Sequence, residues 1–264
     1  METTPSVVYH YDGSFDGFLS VVFEAFERKA GPMAIQIRGK GSHDLFAENV
    51  ETETDPARAD RVWQGLIKHT NTRNARMVYT AFLSETQGIE MLLWFYLKKV
   101  FTSPHKDFYR NMLDDDVNNV VQKARKVQRE AHRFLGLVRF QKTADGLFFA
   151  LIEPDHNILW LMARHFKSRY ASQKWIIYDT RRKYGIFYDL ETVQEVQIEN
   201  PAVNMTSGRV HEQVRDMDED HFRKLWQAYY DSINIEQRAN PRQMVRMMPR
   251  RYWKYLPEKN NDEM

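Results

Sequence analysis

Residues 146–190 read GLFFALIEPDHNILWLMARHFKSRYASQKWIIYDTRRKYGIFYDL, and the change of period along them decides the fold class. The runs 146–154, 174–180 and 184–190 have the length and the aromatic and β-branched content of strands, and Arg181, Arg182 and Lys183 join the last two as a tight polar turn. Between the first two, Ile158, Leu159, Leu161, Met162, His165 and Phe166 recur at helical spacing. Asp155 or Asn157 is the expected cap of that helix, and His165 falls on its packed side. Just upstream, FLGLVRFQ (134–141) alternates like a further strand. A strand, strand, helix, strand, strand block results, and its sheet must be at least partly antiparallel.

Working outward, Val7, Val8, Tyr9 and Tyr11 form a short apolar run ended by Asp12-Gly13, and Phe18, Leu19, Val22, Phe23 and Phe26 then mark one buried helical stripe. Residues 43–60 are acid-rich and read as an exposed loop or helix edge. From Arg61 to Val100 two or three helices are expected, with breaks near Thr70-Asn71 and Gly88 and a stop at Pro104. Asp114, Asp115 and Asp116 open a further helix on which Lys123, Arg125, Lys126, Arg129 and Arg133 follow, a charge order that suits the helix dipole.

The expected fold class is therefore α+β: a mainly helical protein around a small, at least partly antiparallel sheet, with an N-terminal strand-turn-helix and a basic C-terminal tail. Residues 1–237 are expected to form one α+β domain, comprising a helical part (1–133), the sheet block (134–195) and a helix at 218–235. Residues 238–264 form the basic, aromatic tail.

The chain has 264 residues, enough for a sizeable core, and a formal net charge of only +2, so attraction for a polyanion has to come from local clustering. It contains no cysteine, which removes disulfides, thiolate zinc sites, cysteine nucleophiles and an iron–sulfur cluster of its own. The N-terminus lacks the pattern of a secretory signal, and the apolar run MLLWFYL (91–97) is too short to span a bilayer, so a cytoplasmic protein without a membrane partner is expected. Neither a glycine-rich phosphate loop nor a glycine-flanked serine elbow is present. No metal or other cofactor is expected.

Candidate acid–base chemistry is confined to two places. EPDHN (153–157) sets Asp155 and His156 at a strand end, and EAHRF (130–134) sets Glu130 and His132 at the end of the basic helix. Each has a plainer reading, Asp155 as a helix cap and His132 as a packed imidazole.

Positive charge gathers in three segments: Arg129 and Arg133 on the basic helix, Arg164, Arg181 and Arg182 around the sheet, and Arg250 and Arg251 in the tail. Guanidinium groups bind phosphate through paired hydrogen bonds, and the neighbouring Trp253, with Tyr252 and Tyr255, offers rings for unpaired bases. The alternative is a tail that lies on its own domain, with Trp253 and Leu256 buried and the arginines paired to acids.

Four stretches together carry a resemblance: YDGSFDGFLSVVFEAF (11–26), VQREAHRFLGLVRF (127–140), HFKSRYASQKWIIYDTRRKYGIFYD (165–189) and MPRRYWKYLPE (248–258). They resemble the bacterial probable DNA metabolism protein family, built on the domain of unknown function DUF4130. The resemblance implies a partner, a radical SAM protein encoded alongside, and in some members a uracil-DNA glycosylase-like domain fused after the tail. This chain stops at Met264, so base excision by the chain itself is not expected. The family brings no catalytic residues with it. What it implies is a DNA metabolism or repair accessory protein that binds DNA and acts with the radical SAM partner. The residues leave two alternatives open: a nucleobase- or nucleotide-modifying enzyme using Glu130, His132, Asp155 and His156, or a protein-interaction scaffold.

Overall fold

A computed structural model describes residues 7–40, 47–105, 107–198, 216 and 241–259. The expected helix at 218–235 lies outside the described residues. The chain divides into two compact units, Met1–Val127 and Gln128–Met264, and its class is mixed α and β, as the periodicities require.

The first unit is built on strand β1 (Val7–Tyr11), all five residues of which are buried. It is followed by α1 (Phe15–Glu27), β2 (Pro32–Ile37), β3 (Glu48–Glu51), α2 (Pro56–His69), α3 (Thr72–Phe82) and α4 (Ile89–Thr102). The strands form a parallel sheet in the order β2-β1-β3. Tyr9, Phe18 and Val22 pack there with Leu66, Val78, Leu93 and Leu97 in one apolar core. Burying polar tips requires partners. The Tyr9 hydroxyl donates to Ala30 O at 3.1 Å, and Tyr96 exchanges hydrogen bonds with the buried Asn74 side chain at 2.8 and 3.0 Å.

One expectation about this unit is corrected. The acid-rich 43–60 stretch contains β3 and the start of α2 rather than a loop or helix edge alone. β3 is recruited by backbone pairing to β1, while its exposed acids meet arginines: Glu48 pairs with Arg28 at 2.9 Å and Glu51 with Arg38 at 2.8 Å. β2, with Ile35 and Ile37 alternating around Gln36, is a strand that the sequence reading passed over.

Helix α5 (Asp115–Phe134) runs across the division between the units. Asp114 caps it, its Oδ1 accepting from the amides of Asp116 and Val117 at 3.0 and 3.2 Å. The second unit continues with β4 (Gln141–Lys142), β5 (Phe148–Ile152), α6 (Leu159–Arg169), β6 (Trp175–Asp179), β7 (Tyr184–Tyr188), β8 (Val193–Val196), α7 (Pro241–Met247) and a 3-10 segment at Arg250–Tyr255. Its sheet has the order β4-β5-β6-β7-β8. β5 and β6 are parallel across the α6 crossover, and the other pairs are antiparallel.

The stretch 134–141 is not a strand except at its last residue, Gln141, which opens β4. Phe134 ends α5, and the chain goes on in turns, with Leu137 and Val138 amides donating back to Phe134 O at 3.1 and 3.2 Å. Phe134, Leu137 and Val138 are buried together at the i, i+3, i+4 spacing of a helix, which short apolar runs share with alternation.

At the start of α1 the turn is tightly closed. Asp12 Oδ1 accepts from the Ser14 amide (2.8 Å) and hydroxyl (2.7 Å), Asp12 Oδ2 accepts from Thr54 (2.7 Å), and Ser14 Oγ caps the Gly17 amide at 2.9 Å. A Cβ on Gly17 would sit 2.2 Å from Asp12 Oδ1 and 2.8 Å from Thr54 Oγ1. Gly17→Ala should therefore destabilise the protein by about 1–3 kcal/mol in urea denaturation. Gly39→Ala is the contrasting control: it meets no atom within 4 Å and probes only the positive φ of 76°.

Candidate nucleic-acid interface

Because β5 and β6 are parallel, their C-terminal ends share one rim of the sheet, the place where open α/β sheets commonly present loops to ligands. The loop 153–157 leaves β5 there, and the turn 180–183 leaves β6. The turn is written into Asp179, whose side chain is fully buried. Its Oδ1 accepts from the Arg181 and Arg182 amides at 2.9 and 3.1 Å, and its Oδ2 pairs with Arg182 Nη1 at 2.8 Å. Burial pushes the Asp179 carboxyl above the ordinary carboxylate range, and the Arg182 guanidinium pulls it the other way. Arg182 also donates to Pro154 O (3.2 Å) and Asp155 O (2.9 Å), which stitches the two rim segments together.

Glu130, in the last turns of α5, is 5 % exposed. Its Oε2 accepts from the His156 amide at 2.8 Å. Its Oε1 accepts from the Asp155 amide at 2.9 Å and from the Tyr252 hydroxyl at 2.8 Å. One buried carboxylate thus fastens the helix end, the rim loop and the tail. Tyr252 is itself buried and meets Phe134 edge to face at 4.8 Å. Burial, and then the Glu130 charge, raise its phenol well above the usual tyrosine range.

The tail settles along the same rim. Tyr255 donates to Glu153 Oε2 at 2.8 Å and lies 3.2 Å from the Thr180 hydroxyl. Leu256 is 1 % exposed, and the buried Glu258 carboxylate pairs with Arg139 at 2.7 Å. The described tail therefore lies on its own unit. Its buried ring is Tyr252, whereas Trp253 is half-buried, donates to Met248 O at 2.9 Å and has Arg250 and Lys259 over its ring at 5.7 and 5.6 Å.

Of the four acid–base candidates, Glu130 meets Asp155 and His156 through their backbone amides. The Asp155 carboxylate, about half exposed, instead pairs with Arg251 and lies 4.0 Å from Arg181. His132 is exposed on α5 rather than packed, and His165 is likewise exposed on α6, because the packed stripe there runs through Leu159, Met162 and Phe166. Neither Asp155 nor Asn157 caps α6. Ile158 holds the cap position without a side-chain hydrogen bond, Asp155 being committed to Arg251 and Asn157 accepting from the Tyr184 hydroxyl.

Among the basic candidates, Arg181 and Arg251 converge on Asp155 from the β6–β7 turn and the tail. Arg129, Arg164 and Arg250 are exposed and Arg133 is half-buried, while Arg182 is taken up inside the rim. The rim lysine Lys254 was absent from the candidates. It pairs with Glu153, and its place beside Tyr255 was visible in the tail sequence. Among the described residues, no three His, Asp or Glu side chains group to hold a metal ion, and no helix is long and apolar enough to cross a membrane.

A family described as a domain of unknown function, DUF4130, matches residues 87–258. The chain belongs to the DUF4130 family. The match ends on Glu258, the buried partner of Arg139, so the rim-covering tail is part of the DUF4130 domain. No curated protein matches the chain.

Two outcomes follow for the rim. Glu130→Ala strands two amides and a hydroxyl, so it should cost about 2–4 kcal/mol in chemical denaturation, against about 1 kcal/mol for Tyr252→Phe. The Lys254 hydrogen bond holds the Glu153 carboxyl below its ordinary value of 4.5, with partial burial opposing. A carboxylate depressed on folding stabilises fully above its unfolded value and loses that contribution as pH falls through its folded one. Hydrogen-exchange protection of the Tyr252 and Leu256 amides should fall as pH drops below 4.5, and Glu153→Gln should reduce that dependence.

Proposed function

We propose that this DUF4130 protein is a DNA metabolism or repair accessory protein that binds DNA along the β5–β6 rim and acts with a radical SAM partner. The observation that carries the reading is the meeting of Arg181 and Arg251, from separate segments, at the exposed carboxylate of Asp155. Two guanidiniums share this one half-exposed acid, and a phosphate can compete with it for them. Arg129, Arg164 and Arg250, which are exposed, and the half-buried Arg133 add positive charge to the same unit. The partner and the DNA context come from the family resemblance.

The enzyme reading has less support. Both oxygens of Glu130 are engaged by donors, so its carboxylate acts as an anchor rather than a base open to substrate.

The test is DNA affinity at several salt concentrations. Log K should fall linearly with log salt, and Arg181→Gln or Arg251→Gln should each flatten the slope by about 1. Asp155→Asn should tighten binding, by about two- to tenfold, because it releases both arginines to phosphate. A salt-independent affinity, or an Asp155→Asn variant that binds more weakly, would remove the proposal. Recovery of the radical SAM protein with the tagged chain after nuclease treatment tests the partner.

A further inference from the structure

The first unit contains a cavity of about 330 Å³ that plays no part in the rim. It is lined by Phe15, Asp16 and Leu19 of α1, by Pro56, Ala59, Asp60 and Trp63 of α2, and by Arg76 and Tyr79 of α3. Its position follows from the closed turn at Asp12–Gly17, which fixes where α1 begins and so where Phe15 and Asp16 point. All its lining residues precede the 87–258 stretch that the family matches.

Three rings shape it. Trp63 and Tyr79 both stand edge-on to Phe15, at 5.9 Å and 88° and at 5.1 Å and 68°. The rings pack against one another and give the site an aromatic wall on which a flat ligand can lie, and the volume lies at the small end of the range for ligand pockets. The polar groups then choose the ligand. Asp16, Asp60 and Arg76 are exposed. Among the described residues the Asp16 carboxylate and the Arg76 guanidinium make no hydrogen bond or ion pair, and Asp60 accepts one, from Gln64 at 3.1 Å. Asp16 lies near enough to the Tyr79 phenol to add to the rise that burial gives its pKa, so acid and ring share one mouth.

Carboxylates beside aromatic faces want N–H donors on a planar group. An organic cation would satisfy the acids and the rings but would face the Arg76 guanidinium. A nucleobase carrying an amino group satisfies all three kinds of lining at once. The base lies against the rings, its N–H edge donates to a carboxylate, and the phosphate of its nucleotide pairs with arginine.

We propose that the α1–α2–α3 cavity is a nucleobase-receiving site that selects bases with an amino edge, from a free nucleotide or from an unpaired position in a strand. This deepens the DNA-binding reading and rests on it for the biological source of the base.

The experiment is calorimetric titration of the full chain with GMP, AMP, CMP and UMP, with the matching nucleosides, with a single-stranded oligonucleotide and with tetramethylammonium. Amino-bearing nucleotides should bind more tightly than UMP. Asp16→Asn with Asp60→Asn should weaken them by about tenfold or more, since a site built on hydrogen bonds rejects ligands it cannot pair. Arg76→Gln should erase the advantage of nucleotide over nucleoside, and Trp63→Phe should weaken every base alike. Melting temperatures of these variants report whether any loss reflects unfolding, and Arg76→Gln, at an exposed side chain, serves as the variant least able to disturb the core.

Tight binding of tetramethylammonium with none of nucleotide would overturn the proposal, as would nucleotide binding indifferent to all four substitutions. The two readings separate cleanly. Nucleotide binding by the unaltered chain, with no salt-dependent duplex binding, leaves the cavity standing and removes the rim. DNA binding without any nucleotide response does the reverse.

Discussion

The second unit depends on one buried carboxylate. Glu130 comes from the end of a helix, yet the donors that neutralise its desolvation come from a loop some 25 residues on and from a tyrosine 122 residues on. A buried carboxylate without donors is costly. The geometry in which the amides of Asp155 and His156 and the hydroxyl of Tyr252 all reach it is therefore strongly preferred over any in which one of them wanders. The consequence reaches the surface. With the loop backbone pinned, the Asp155 side chain is turned outward to Arg251 and Arg181, and that outward acid organises the basic rim.

Around this anchor, polar and apolar forces divide the work. Tyr252 and Leu256 supply buried surface, and Arg139–Glu258 and Asp179–Arg182 supply paired charges with one partner fully buried in each. Exposed pairs such as Lys254–Glu153 contribute little to stability by themselves. They set register, holding the tail rings over the ends of β5 and β6. The same arrangement leaves charge available for a partner, because an ion pair half in water is easily exchanged for a better one.

Much of the fold was legible because its strands and helices are apolar on a regular period. β1, α1, β5, α6, β6 and β7 all announce themselves in this way, as do the breaks at Thr70-Asn71 and Gly88. β3 was hidden because its glutamates and asparagine have no strand pattern. It exists through backbone pairing to a buried neighbour, a reason that no side chain records. Phe134–Gln141 misled for the opposite reason, its side chains fitting two periods at once. The site was half legible. The arginines and EPDHN stood out as charges, but that Glu130 would spend both oxygens on backbone amides, and that Arg182 would turn inward while Arg181 stayed out, depends on contacts between segments far apart in sequence. The cavity at Phe15, Trp63 and Tyr79 was invisible for the same reason, since its rings come from three helices.

The distance along the chain between Glu130 and Tyr252 has a further meaning during synthesis. Closing so large a loop carries an entropic penalty that grows slowly with length, and the contact cannot form until the later residue has left the ribosome. Until then the nascent polypeptide holds a carboxylate whose burial lacks one of its three donors, and the end of α5 must remain wetter than in the finished protein. The last dozen described residues thus act as a completion signal: the rim reaches its final order only once they have been made.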